Sequence, residues 1–367
     1  MNEINKRASW LELFYDVAFI ALVAQLTYLA VEHHHSVTDV LNIAMIGYTI
    51  FIAWWATTAN RNLQPTETPT DKILTQVQMV AVFLMSVFMS AVFEGDYFGF
   101  FITLAVVRLL QSFMIIRMYT LHPSTRPDTY NILSGFFVAS GLWALSAFTG
   151  DPFHFVVAFA ALAVDILVPL TRGEGKTKRY LNVGHLQERL GLFLMLVIGE
   201  SMIVVALSNS ANTQLYNQTG VVFSGLGLMI ALWWLYFEYS DDHSGTRPRN
   251  LFAFLHSHGL LFGSIILLSV GFKIILDTSP NFTAYVFVVL GMAGMSLSLM
   301  LIRGTLHRVC LKAVALVSGL LTIGGLLVLY GFMTERYVEA MMYLTALFIA
   351  SAVLDHFAVF AAAKKTL

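Results

Sequence analysis

Apolar runs uninterrupted by charge dominate this chain. Val40 to Asn60, Ile73 to Phe93, Tyr130 to Gly150, Asn250 to Phe272, Thr278 to Ile302 and Ala313 to Thr334 contain no Asp, Glu, Lys or Arg. Each approaches or exceeds the ~20 residues a helix needs to cross the hydrocarbon of a bilayer. Further apolar stretches at about 10–31, 97–119, 152–170, 187–208, 220–240 and 338–361 carry one to three ionisable groups each. Because every backbone amide must be satisfied within its own segment in lipid, these runs predict helices. The expected fold is an all-α polytopic membrane protein of about twelve transmembrane helices.

Composition agrees with that reading. Of 367 residues, 57% are hydrophobic and 12% charged, about half the charged share of a soluble domain. The formal net charge is -1, which gives no basic excess for nucleic-acid binding. The lone cysteine, Cys310, has no partner for an internal disulfide, and its neighbours Arg303, His307, Arg308 and Lys312 suggest the reducing side of the membrane. Residues Met1 to Arg7 are short and polar and lead into the first apolar run without a small-residue cleavage site, so the first helix reads as retained.

With both termini in the cytoplasm, 18 of the 21 Lys and Arg fall on the cytoplasmic side; Arg108 and Lys273 fall within spans and only Arg336 on the opposite side. The positive-inside rule would hardly yield that bias for a wrong number of crossings. The opposite side collects His33 to His35, Glu94, Asp96, Asp151, Asp277 and Glu335.

An internal repeat is also expected. The first and seventh spans each open with an acid, Glu12 and Glu188, and each following span carries a tryptophan pair, Trp54-Trp55 and Trp233-Trp234. Softer matches set Arg108 against Arg303 and Asp165 against Asp355. The reading is a first six-helix half at 1–171, a basic cytoplasmic linker at 172–184 and a second half at 185–367, related as parallel repeats.

Three motifs carry a family resemblance: Trp10-Leu11-Glu12-Leu13-Phe14-Tyr15-Asp16-Val17-Ala18-Phe19, the Trp54-Trp55 span ending in Asn60-Arg61, and Glu188-Arg189-Leu190-Gly191-Leu192-Phe193 followed by Gly199-Glu200-Ser201. Together with His256-Ser257-His258-Gly259, they resemble the bacterial low temperature requirement protein A family along most of the chain. That resemblance implies a bacterial membrane protein associated with growth in the cold, without an established substrate. More remotely, Arg7 to Phe19 is similar to the Arg-to-Phe-Ser-Asp first helix of six-helix-repeat potassium channels, with Tyr15 at the Ser position. This second resemblance implies a potassium pore.

Charges at membrane depth cost several kcal/mol unless paired or hydrated, so each is a candidate for function. Glu12 follows Ser9 by three residues, which also fits a capping box. Asp16 lies one turn deeper, where a cap does not explain it, and either lines a polar path or anchors a neighbouring helix. Glu188 shares the first-turn reading of Glu12, with Arg189 a surface charge. Glu200 is twelve residues further on and flanked by Gly199 and Ser201; it is the strongest candidate, either paired structurally, bound to a cation or exchanging protons. Arg108 and Lys273 are the natural partners for these acids, although Lys273 can also snorkel. Asp165 and Asp355, the latter beside His356, lie within reach of the cytoplasmic surface and are secondary candidates. His256 and His258 are two residues apart and do not share a helix face, so neither binds a metal without other ligands. His256 remains open to a proton relay or a bond to a neighbouring helix. The His33 to His35 run reads as a solvated loop.

There is no Gly-rich phosphate loop, no His-Glu-x-x-His helix and no Gly-x-Ser-x-Gly elbow. The expectation is therefore neither an enzyme nor a cofactor- or metal-dependent protein. It is a gradient-driven transporter or ion conductor of the bacterial cytoplasmic membrane, passing protons, monovalent cations or a small solute. A pore form predicts a homodimer. The alternative is a non-transporting scaffold or sensor supporting growth in the cold.

Overall fold

The structure, a computed structural model, describes residues 8–34, 36–64, 68–121, 126–150, 152–172, 181–207, 215–242, 245–277, 282–306, 323–327, 329–331 and 333–363. All regular structure among them is helical. The long helices are α1 (Trp10–Glu32), α2 (Val37–Leu63), α3 (Pro69–Phe93), α4 (Phe98–Leu121), α5 (Arg126–Ala147) and α6 (Phe153–Arg172), then α7 (Val183–Ala206), α8 (Leu215–Asp242), α9 (Leu251–Asp277), α10 (Phe282–Leu306) and α11 (Tyr337–Ala363). Eight of them, α1 to α4 and α7 to α10, hold stretches long and apolar enough to cross a membrane. Within the described residues, α5, α6 and α11 contribute shorter apolar stretches. Of the expected spans, Ala313 to Thr334 lies mostly outside the described residues.

Local chemistry sets the helix ends. Ser9 and Glu12, Ser36 and Asp39, and Thr68 and Asp71 form reciprocal capping boxes at the starts of α1, α2 and α3, each satisfying donors that a helix start leaves free. Between α3 and α4 the chain reverses at Gly95, whose φ of 91° suits a residue without a Cβ. The Asp96 amide closes that turn on the Ala91 carbonyl at 2.8 Å.

The chain packs as two units, one comprising Met1–Leu190 with Asn250–Phe252 and the other Gly191–Arg249 with Ala253–Leu367. In the first, α4 packs against α3 and α5, α5 against α6, and α1 against α2 and α3. Ala56, Ile115, Met118, Tyr119 and Phe136 form an apolar core cluster there. In the second unit α8 packs against α11, and α9 lies backbone to backbone with α10. A Cβ built on Gly291 would come within 2.9 Å of the Leu268 amide nitrogen and the Ser264 carbonyl, and one on Gly271 within 2.9 Å of the Ala284 carbonyl.

Candidate functional site

In the first unit, α1 and α7 begin side by side and run in the same direction. At the surface the Ala8 amide donates to Glu188 Oε2 at 3.3 Å. Within the cap, Glu12 Oε2 accepts from the Ser9 amide at 2.8 Å, while its Oε1 lies 3.4 Å from His185 Nε2. The end of α2 is stitched to the same corner: Asn62 Nδ2 donates to the Asn182 carbonyl at 2.8 Å, and the Asn182 amide returns a bond to Asn62 Oδ1 at 2.8 Å.

One turn deeper on both helices, Asp16 meets Arg189. Asp16 is fully buried and Arg189 is 1% exposed. A single carboxylate oxygen, Asp16 Oδ1, accepts from Arg189 Nη2 at 2.6 Å and from the Trp54 indole of α2 at 2.7 Å. The guanidinium also lies 6.0 Å from the Trp54 ring centroid. The remaining polar atoms of the pair, Asp16 Oδ2, Arg189 Nε and Arg189 Nη1, are sealed from solvent without a hydrogen-bond partner among the described residues.

A second Asp, Arg and Trp constellation lies in the same unit. Arg108 of α4 pairs through Nη2 with Asp165 Oδ1 of α6, and the Trp143 indole of α5 donates to Asp165 Oδ2 at 3.1 Å. Here both carboxylate oxygens are engaged. Arg108 Nη1 also donates to Gln111 Oε1 at 2.6 Å, and its guanidinium stacks 4.4 Å above the Phe136 ring. Arg108 Nε alone of this pair's polar atoms is sealed without a partner among the described residues, so the tether is nearly closed.

Neutral polar groups join the two constellations. Gln111 Nε2 donates to the Ala53 carbonyl at 2.6 Å and to Thr57 Oγ1 at 3.0 Å. Thr57 Oγ1 accepts from the Tyr15 hydroxyl and from Gln78 Nε2, each at 2.8 Å. The turn of α2 gripped by Gln111 therefore includes Trp54, and Tyr15 adjoins Asp16 on α1. Near the start of α3, Asp71 accepts from Arg117 Nε at 2.9 Å, and buried Arg61 donates to the Asp71 carbonyl at 2.9 Å.

In the second unit Glu200 is 7% and Ser201 0% exposed. Glu200 Oε2 and Ser201 Oγ have no hydrogen-bond partner among the described residues. Lys273 pairs with Asp277 at 2.6 Å rather than with a buried acid. His258 is fully buried and bonded on both ring nitrogens, to the Tyr236 hydroxyl at 3.0 Å and the Phe254 carbonyl at 2.7 Å. His256 is half-buried one turn from the start of α9.

Several expectations change accordingly. Arg189 is not a surface charge: it projects from α7 away from its exposed neighbour Glu188 and meets an acid 173 residues earlier in the chain. Arg108 balances Asp165 rather than Asp16. Asp165 is not wet, since its side chain is 3% exposed and doubly bonded. The matched tryptophans differ too: Trp54 is fully buried, whereas Trp233 and Trp234 are 46% and 42% exposed. The side chains of Asp355 and His356 lie outside the described residues. Around the α1–α2 connection, His34 bonds the Val31 carbonyl at 2.9 Å and Asp39 caps α2. No three His, Cys, Asp or Glu among the described residues are grouped to hold a metal ion. Thr57, Gln78 and Gln111 were not legible as site residues, although Arg108 and Gln111 stand at the three-residue spacing that places side chains together on a helix.

Membrane-length helices enclosing paired and unpaired charges in their interior define a polytopic α-helical membrane protein. The sequence matches the profile of the family described as bacterial low temperature requirement A protein over residues 7–363, and the chain belongs to that family. It is also similar to an uncharacterized protein of Rhizobium meliloti (strain 1021), with 21% identity over 292 residues covering 74% of this chain and 70% of that one.

Proposed function

We propose that this chain is a transport protein of the bacterial cytoplasmic membrane, a gradient-driven carrier or ion conductor whose polar route passes the Asp16–Arg189 pair. The contrast between the two buried charge pairs carries this reading. A buried ion pair whose role is purely structural gains from having every lone pair and proton satisfied, because each unmet polar atom costs about 1–3 kcal/mol. Arg108 and Asp165 approach that state. Asp16 and Arg189 leave one carboxylate oxygen and two guanidinium nitrogens open. Open atoms of both signs, held at membrane depth by Trp54, suit a third polar species arriving and leaving. Energy would come from a gradient, since the sequence has no nucleotide-binding loop. The distribution of Lys and Arg supports cytoplasmic termini, and in a pore form two copies would line one axis.

The test is flux in proteoliposomes across a panel of protons, potassium, sodium and small solutes. Flux of at least one species, cut tenfold or more by Asp16→Asn in a variant that elutes and melts as a folded protein, supports the reading. Absence of flux for the entire panel overturns it in favour of a scaffold or sensor.

A further inference from the structure

We infer that the carboxyl of Glu200 is a monovalent-cation site in the second unit, filled by a proton or an alkali ion. The inference deepens the transport reading and rests on it for what the bound cation is for; the site itself stands on geometry.

Glu200 lies six residues, or ~9 Å, before the end of α7 at Ala206. The 24-residue helix is ~36 Å long, so if it is centred on ~30 Å of hydrocarbon the carboxyl sits ~6 Å inside the apolar boundary. That depth removes bulk water yet leaves one surface close enough for exchange. A carboxylate without a counter-charge is strongly disfavoured in such a medium, and Glu200 forms no ion pair among the described residues.

The ionisable groups of the helices packed on this stretch of α7 make that plain. Val205 of α7, Gly225 of α8 and Phe272 of α9 meet at one level, with Val205 and Phe272 side chains 3.0 and 3.4 Å from a Cβ built on Gly225. Five residues back along α7, Glu200 is ~7.5 Å from that level. Beyond it, on the far side from Glu200, the ammonium of Lys273 reaches on to Asp277. His256 and His258 lie near the start of α9, ~21–24 Å from Phe272 along the helix and so about 14–17 Å from the level of Glu200, and His258 is engaged by Tyr236. On α8, Glu238 accepts from Trp234, and Tyr239 faces Arg303, whose guanidinium lies 4.8 Å over its ring. On α7 itself, Arg189 is committed to Asp16 and His185 to the Glu12 corner.

A further observation concerns the next residue. Ser201 Oγ is sealed without a partner among the described residues, although a helical serine in an apolar setting ordinarily bonds a carbonyl of the preceding turn. Consecutive side chains on a helix face apart, so the site is the Glu200 carboxyl itself, an oxygen donor of the hard-ligand chemistry that protons and alkali ions share.

An apolar carbodiimide tests this directly in liposomes containing the wild-type chain. The reagent adds the O–H of a neutral carboxylic acid across one C=N bond, giving an O-acylisourea that rearranges to a stable N-acylurea, which peptide mass spectrometry locates. The expected result is an adduct on Glu200, absent from Glu200→Gln and restored in Glu200→Asp. If the occupant is a proton, the yield falls about tenfold per pH unit on the alkaline limb and is indifferent to alkali salts. If it is an alkali ion, potassium or sodium protects at constant pH. No adduct on Glu200 at any pH, or a yield independent of both pH and salt, overturns the site. Adduct formation with that dependence but no flux of any ion retains the site and rejects transport, whereas flux with an unreactive Glu200 does the reverse.

Discussion

At the residue scale, the decisive positions are those where a buried charge is incompletely answered. Removing one member of a buried pair strands the other and costs about 3–5 kcal/mol, whereas replacing both with apolar residues is often close to neutral. Asp16→Leu is therefore expected to lower the unfolding free energy in mixed micelles by about 3–5 kcal/mol, and Asp16→Leu with Arg189→Leu to recover most of that loss. Equal losses in the single and double variants would mean that the bond at 2.6 Å does not couple the two side chains. The sequence made Asp16 legible, because an acid two turns into an apolar run has few explanations. Its partner was not, because Arg189 follows Glu188 in a first turn, where surface charge is the usual reading, and consecutive residues on a helix point to different faces. In the sequence Trp54 reads as half of a repeated pair and not as an indole donor. Nothing in its local sequence distinguishes the buried Trp54 from the half-exposed Trp233 and Trp234.

At the scale of the helices, Gln111 is the clamp that links the two constellations. Its carbonyl oxygen accepts from Arg108 and its amide nitrogen grips α2 at Ala53 and Thr57, so both ends of the amide are committed. Replacing Gln111 with Leu should shift the indole N–H resonance of Trp54 as well as that of Trp143 in spectra of 15N-tryptophan-labelled protein. A Trp54 resonance that stays in place would show that α2 is held without the clamp. Close approach of α9 and α10 makes a second prediction. Gly291→Val puts a side chain where the Leu268 amide and Ser264 carbonyl stand 2.9 Å from a Cβ; backbone has to move, and a loss of about 1–3 kcal/mol is expected from thermal unfolding. An unchanged melting profile would contradict the packing. Helix positions were the most legible feature, because apolar length and Ser-x-x-Glu or Thr-x-x-Asp caps are local signals. Helix partners were not, since in lipid they depend on small residues and scattered polar groups rather than on a hydrophobic stripe.

For the whole molecule, the first unit offers a check on topology. Glu12 meets His185 and, one turn deeper on each helix, Asp16 meets Arg189, so α1 and α7 point the same way. Any even number of crossings between the two starts would produce that parity. The acids matched in the expected repeat, Glu12 and Glu188, both fall in the first unit, where Glu12 caps α1 and Glu188 accepts from the Ala8 amide. The membrane class was readable from hydropathy alone; the division into a nearly closed tether, an open pair and a lone carboxyl required the folded chain. The transport reading is tested most directly by comparing ion flux in proteoliposomes of the wild type, Asp16→Asn and Asp165→Asn, each verified as folded. The account predicts flux in the wild type and its loss in Asp16→Asn, with Asp165→Asn losing thermal stability but keeping flux per folded molecule within a few-fold. Absence of flux in the wild type, or its survival at full rate in Asp16→Asn, would contradict it.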